Sequence, residues 1–256
     1  MSVQGPELQV GRQEDRGPLR PLEAFDGSLA QRVYGSLREA ILSLALAPGA
    51  ILRKPEICAS LGVSRSPVSE AVARLAAERL VDVVPQAGTY VARLSLDEVR
   101  EGAFLREALE LAAVERVTAG VTPEQVAQLQ HSLQVQAALV DTHDFAGFYK
   151  ADAAMHELIL TFTGFRRVAV LADVAWVHVN RARQLILPQP GRVEATLAEH
   201  QAIVAAIAAG DVRAAREATR VHLGKLVGIL EPLAQNRPDL FEPDLFEPGL
   251  FESVRP

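Results

Sequence analysis

Cysteine is almost absent from this chain of 256 residues: Cys58 stands alone, so no internal disulfide can form and paired-cysteine metal or redox motifs are excluded. A lone thiol suits a reducing compartment. The opening MSVQGPELQVGRQEDRGP lacks the apolar stretch of a signal sequence. No later run approaches the ~18 apolar residues of a membrane span. These absences lead to the expectation of a cytoplasmic protein with no membrane partner. Aromatic residues make up only 5% of the chain, whereas Ala, Leu and Val abound. That balance favours helices packed on helices over sheets. With 49% apolar and 23% charged residues, general disorder is excluded, and the length allows one large or two smaller domains.

Positive charge is also scarce, the net charge being -6, but its distribution is uneven. Residues 29–94 carry eight Lys and Arg against five Asp and Glu, whereas residues 95–256 carry fifteen against twenty-two. The basic part is the small part, and it is where contact with nucleic acid is expected.

Residues 1–27, rich in Gly, Pro, Gln and charge, read as a flexible tail. From residue 28 the pattern changes. Leu29, Val33, Leu37, Ile41 and Leu44 recur at helical spacing until Pro48-Gly49, and Lys54 to Leu61 gives a second helix closed by Gly62. Ser66 can cap a third helix with Pro67 in its first position, Ser64 being the other candidate cap. In that helix Val68, Ala71, Val72, Leu75 and Ala76 form the inner stripe, which leaves Ser66, Ser69 and Arg74 outward. Val81 to Val84 and Thr89 to Arg93 then form a hairpin around Pro85-Gln86-Ala87-Gly88. The order is that of a winged helix-turn-helix over residues 28–94.

Only helical periodicity follows. Candidate helices are Leu96 to Ala119, Pro123 to Val140, Asp144 to Phe162, Arg166 to Leu187, Arg192 to Ala209 and Val212 to Leu233, an all-helical bundle over 95–235. The fold class is therefore mainly α. Residues 236–256 carry the near-repeat PDLFEPDLFEPGLFES, whose prolines exclude a continuous helix; a disordered tail and a partner-docking motif are its two readings.

Within the bundle, polar residues recur on inward stripes. Asp152 and His156 share a face with Phe145, Phe148, Met155 and Ile159; His200 falls among Val193, Leu197, Ile203 and Val204; His222 falls among Ala215, Ala218, Leu226 and Ile229. A buried carboxylate requires a compensating partner. Imidazole and carboxylate suit Zn, Ni or Mn, and an i, i+4 Asp/His pair lies one turn apart. The alternative for each histidine is a hydrogen-bonded core residue. His131 lies opposite its stripe and is expected in solvent. His178 shares its spacing with Leu171, Ala182 and Leu185, which makes it a candidate wall of an effector pocket.

The run from Ile51 to Val81, followed by Pro85-Gln86-Ala87-Gly88-Thr89-Tyr90-Val91, resembles the DNA-binding domain of GntR-family transcription regulators. Pro48-Gly49, Leu61-Gly62-Val63-Ser64-Arg65, Pro67-Val68, Glu70-Ala71, Arg74-Leu75 and Gly88 carry the likeness. It implies a double-stranded DNA operator, with Arg65 the principal contact. Arg38, Lys54, Ser66 and Arg74 would be base or backbone contacts, and Gly88 would let the wing approach the minor groove. The chain departs from the family pattern at Ser69, where many members have arginine, and at Lys54-Pro55, changes that should alter base preference. Asp152-x-x-x-His156, Glu199-His200 with the following Ala-Ile repeats, and His222 resemble the FCD effector domain of the FadR-type branch. That likeness implies a homodimer and a metal held by Asp152, His156, His200 and His222. Leu105-Arg106-x-x-Leu109-Glu110 also matches, making Arg106 a candidate contact for a small carboxylate effector, with plain surface charge as the alternative.

The reading is a ligand-responsive transcription regulator rather than an enzyme. Two alternatives are the same regulator with a purely structural metal, and a metal-dependent hydrolase. The latter would need a further acid or base, and Glu199, off the inner stripe, is the nearest candidate.

Overall fold

A computed structural model describes residues 17–186 and 189–242. It divides into two compact units: residues 17–41 and 45–91 belong to the first, and 42–44 with 92–242 to the second.

The first unit contains helix α1 (Leu29–Leu42), α2 (Lys54–Leu61), α3 (Arg65–Ala77) and an antiparallel hairpin, β1 (Val81–Val84) with β2 (Gly88–Val91). Val33, Leu37, Val68, Val72 and Leu75 close its core. Helix α2 stops at Gly62, whose φ of 65° is the left-handed conformation that glycine adopts without penalty. Helix α3 begins at Arg65, so Ser64 occupies the cap position and the start proposed at Ser66-Pro67 moves back by two residues. Pro67 is tolerated there because the first-turn N–H groups have no partner within the helix. The expectation of a flexible tail over residues 1–27 is corrected for its second half. Residues 1–16 lie outside the described residues, but Leu22 is buried, Arg20 pairs with Glu39, and the Arg20 carbonyl accepts a hydrogen bond from Ser36.

The second unit contains α4 (Leu96–Thr118), α5 (Pro123–Asp141), α6 (Phe145–Phe162), α7 (Arg166–Ala175), α8 (Val177–Ile186), α9 (Arg192–Ala208) and α10 (Val212–Asn236). Starts are capped by Ser95, Thr122, Asp144 and Asp211, each accepting a backbone N–H three residues on. Helix α10 packs along α4 and α9, and α5 packs along α6 and α9. The core runs through Val99, Val114, Leu129, Met155, Ile203 and Ile207.

Three expectations are corrected here. The single helix expected from Arg166 is divided at Trp176, whose backbone (φ -97°, ψ 4°) leaves the helical region while its side chain is buried. Phe145, assigned to the inward stripe of α6, is exposed because it opens the helix before the packed turns begin. The first copy of the C-terminal repeat is ordered: Leu94 N–H donates to the Leu240 carbonyl at 3.0 Å, and Glu242 N–H donates to the Leu94 carbonyl at 2.9 Å. Phe241 is only 4% exposed and joins the core. Pro238 opens a single 3-10 turn, Pro238–Leu240, at a first-turn position whose N–H has no helical partner, and only Phe241 after it is extended, so proline does not oppose this seat. The other copies lie outside the described residues.

Candidate functional site

The histidines come together. His156 on α6, His200 on α9 and His222 on α10 are all buried, and one nitrogen from each lies within 4.8 Å of the others. The Nδ1 atom of each ring faces an acceptor at 2.6 Å: Glu110 on α4 for His156, Gln136 on α5 for His200, and Glu199 on α9 for His222. Burial, the largest cause in every case, pushes all three imidazoles below their ordinary pKa, His222 to about 4 and His200 well below 6.5. The rings are therefore neutral. A neutral ring that donates from Nδ1 carries its lone pair on Nε2.

Three Nε2 lone pairs thus converge. His156 Nε2 and His222 Nε2 are 3.2 Å apart, and His200 Nε2 is buried without a hydrogen bond, 3.5 Å from Asp152 Oδ1. Asp152 is fully buried; its carboxylate lies 4.0 Å from His156 Nε2 and against the Arg183 guanidinium, yet neither oxygen receives a well-aligned hydrogen bond. Facing lone pairs and orphaned buried oxygens are costly when nothing positive lies between them. Metal ligands about 2.0–2.2 Å from a common ion stand some 3–4 Å from each other, and these separations suit such an ion. The donor set of three imidazoles and one carboxylate fits a divalent transition metal.

Helices α4, α8 and α9 add charge around this centre. Arg106 Nε donates to Glu110 at 2.6 Å, so Arg106 is a buried pocket residue and the surface-charge alternative falls. Arg183 and Arg192 line the same cavity with Thr196, Leu223 and Leu226. Arg192 grips Glu199 through two hydrogen bonds of 2.9 and 3.1 Å. Despite burial, which raises it, Glu199 is held at about 2 by hydrogen bonds from His222, Arg192 and Lys225. It acts as an orienting group for His222, away from the role of free acid or base. Arg106 and His156 likewise hold Glu110 well below the usual carboxylate range against the opposing effect of burial.

His178 is corrected: its Nδ1 lies 3.1 Å from Glu98 on α4, and it does not line the cavity. His131 is exposed, as expected.

On the first unit, Arg65, Ser66 and Ser69 are exposed at the beginning of α3, and Lys54 is half-buried at the beginning of α2. Arg74 is exposed but stacked 3.7 Å over the Tyr34 ring. Arg38 is half-buried, and its Nε lies 3.6 Å from Glu78. Tyr34, Arg38 and Arg74 all meet Glu78, which ties α1 to the end of α3. Gly88 is exposed on the wing with φ 137°, a conformation that side chains other than glycine rarely adopt.

Residues 29–91 match the bacterial regulatory proteins of the gntR family, and residues 101–225 match the FCD domain. An uncharacterised HTH-type transcriptional regulator in an unstable DNA locus of Streptomyces ambofaciens is 37% identical over 209 residues, 82% of this chain and 88% of that protein. The HTH-type transcriptional repressor RspR of Escherichia coli is 29% identical over 82% of this chain and 92% of its own. Among solved structures, a GntR transcriptional regulator from Rhodococcus sp. RHA1 superposes with a TM-score of 0.69 at 26% identity, over 80% of this chain and 99% of that one.

Proposed function

The chain belongs to the gntR family of bacterial transcription regulators, and from that premise we propose that its FCD domain holds a divalent transition metal through Asp152, His156, His200 and His222 and binds a small carboxylate beside it to control operator affinity. It is a DNA-binding regulator, as its relatives are, and not an enzyme.

One observation carries the metal reading: three neutral imidazoles, each fixed through Nδ1 by its own acceptor, turn their Nε2 atoms towards one point beside Asp152. Glu110, Gln136 and Glu199 fix ring orientation and tautomer, as the outer partners of metal-bound histidines do. A bound Zn, Ni or Mn would supply a Lewis-acidic position for a ligand oxygen. Arg106 would balance the charge of that carboxylate.

In this reading a homodimer sets the N-terminal ends of two α3 helices on a palindromic double-stranded operator. Arg65 reads base edges, while Lys54, Ser66, Ser69 and Arg74 meet bases or backbone beside it. Among the described residues no helix is long and apolar enough to cross a membrane, and the free Cys58 suits a reducing cytoplasm. The effector controls DNA binding only if it favours one arrangement of the DNA-binding units over another. Thermal-shift screening of small carboxylates on metal-loaded protein, followed by operator titration, tests this. A hit should change operator affinity ~5- to 150-fold. A carboxylate that binds without changing it would leave the metal structural and remove the regulatory role.

A further inference from the structure

The peptide that leads from the hairpin to α4 is short: β2 ends at Val91 and α4 begins at Leu96. Ala92, Arg93, Leu94 and Ser95 make the whole connection, with neither glycine nor proline among them. All four belong to the second unit, and Ala92 and Leu94 are each only 2% exposed. The connection is packed peptide, unlike the solvated Gly- or Pro-rich chain of a free linker.

Two parts of the chain that are remote in sequence hold it. From α8, Arg181 Nη2 donates to the Ala92 carbonyl, and Arg181 is buried completely. A guanidinium is costly to bury unless it is hydrogen-bonded, so this side chain makes a strong demand on the position of Ala92. From the C-terminal end, the Leu240 carbonyl accepts from Leu94 N–H at 3.0 Å, Glu242 N–H donates to the Leu94 carbonyl at 2.9 Å, and the Asp239 carbonyl accepts from Arg93 Nε at 3.0 Å. Phe241 bridges to Leu94 in parallel and anchors the segment in the core of the second unit. Both main-chain polar groups of Leu94 and the carbonyl of Ala92 are thereby engaged.

We propose that Arg181 and the Pro238–Glu242 segment form a clamp that fixes this peptide ahead of DNA binding, so that the chain meets its operator with the connection already ordered. The clamp consists of main-chain groups, the guanidinium groups of Arg181 and Arg93, and the Phe241 ring, and none of these belongs to the four candidate metal ligands. It therefore rests on DNA binding through α3 and stands apart from the metal reading. Fixing a backbone residue costs conformational entropy; where the fold has already fixed it, the complex is tighter by that amount. A standing hold that opposed the DNA-bound arrangement would have to break in every complex, with the loss of buried hydrogen bonds. The clamp is accordingly assigned to favour binding, with Arg181 and Phe241 as positioning residues that touch no DNA.

The test uses full-length protein and an operator selected from random-sequence DNA by the wild type, with two readouts: operator affinity by fluorescence anisotropy, and hydrogen exchange of the Leu94 amide. Arg181→Met and, independently, Phe241→Ala should weaken operator binding about tenfold or more, the effect of leaving even one backbone residue to be ordered on binding. In both variants the Leu94 amide should exchange at least about tenfold faster, with helical content unchanged. Two substitutions guard against one of them failing to fold. Arg181→Lys, which keeps a donor for the Ala92 carbonyl, should recover most of both losses. Arg65→Ala should weaken binding with Leu94 protected as in wild type, which separates loss of a base contact from loss of the clamp. Operator affinity within twofold of wild type, or tighter, in both clamp variants would overturn the proposal, as would a Leu94 amide that exchanges at the wild-type rate in both. An Arg65→Ala protein that binds like wild type would instead count against the reading of α3.

Discussion

Glu110 on α4 accepts a hydrogen bond from His156 Nδ1 on α6 at 2.6 Å, and its other oxygen accepts one from Arg106 Nε at the same distance. One carboxylate thus sets the tautomer of a centre-facing imidazole and neutralises a cavity arginine. Glu110→Gln can still accept a hydrogen bond but leaves Arg106 as an unpaired buried charge. Metal affinity should fall ~10- to 100-fold, and folding stability should drop by about 3 kcal/mol. Competition with a chromophoric chelator and denaturant titration measure the two effects separately; an unchanged metal affinity would remove Glu110 from the supporting shell.

Arg65 and Arg38 should behave differently. Arg65→Ala should weaken binding to a selected operator by ~1–3 kcal/mol, the usual worth of a bidentate base contact, without changing thermal stability. Arg38→Ala should mainly lower stability, because Arg38 is half-buried against Glu78. Fluorescence anisotropy on labelled DNA, repeated across salt concentrations, checks the first and thermal melts the second. Equal losses of DNA affinity with no stability change would place Arg38 with Arg65 at the DNA.

The buried histidines give the metal-free protein a definite pH dependence. Burial lowers the pKa of folded His222 to about 4 and that of His200 well below 6.5, whereas an unfolded histidine titrates near ~6.5. As pH falls through that value the unfolded chain takes up protons that the folded chain refuses. Stability present above pH ~6.5 is therefore lost progressively towards pH ~4. The unfolding midpoint of chelator-treated protein should drop over this window. His222→Gln should flatten the slope and His131→Gln should leave it intact; identical slopes in all three proteins would contradict the assignment.

How much of this is legible in the sequence depends on how each residue reaches the centre. Asp152, His156, His200 and His222 lie on apolar stripes, and helical periodicity alone turns them inward. Gln136 continues the Leu129 and Leu133 stripe by three residues, so the same signal marks it, although a lone amide attracts no attention without its partner. The role of Glu199 is not readable: adjacent to His200, it lies off the stripe and arrives by its length, crossing to α10 to meet His222. Arg183 continues the buried face of Ala172, Trp176 and Val179, but a lone arginine there does not announce its partner, because Asp152 stands on α6. The pairing of Arg38 is not readable either, because its partner Glu78 is remote in sequence, at the end of α3.

The ordered first repeat makes a separate claim on stability. Phe241 is buried in the core next to the backbone pairing with Leu94, so Phe241→Ala should cost ~3–5 kcal/mol, as for other buried aromatics. Phe104, 71% exposed on α4, is the control and should cost less than ~0.5 kcal/mol on substitution by alanine. Denaturant unfolding of both variants decides. Equal, small losses would show that the PDLF segment contributes nothing to the packed domain.

The most direct measurement is elemental analysis of the full-length protein purified without chelator, then incubated with zinc, nickel or manganese and dialysed. The converging Nε2 atoms of His156, His200 and His222 predict about one ion per chain in wild type and in His131→Ala, and close to none in His200→Ala. A wild-type protein that holds no stoichiometric metal after all three incubations, or a His200→Ala protein that holds as much as wild type, would contradict the account.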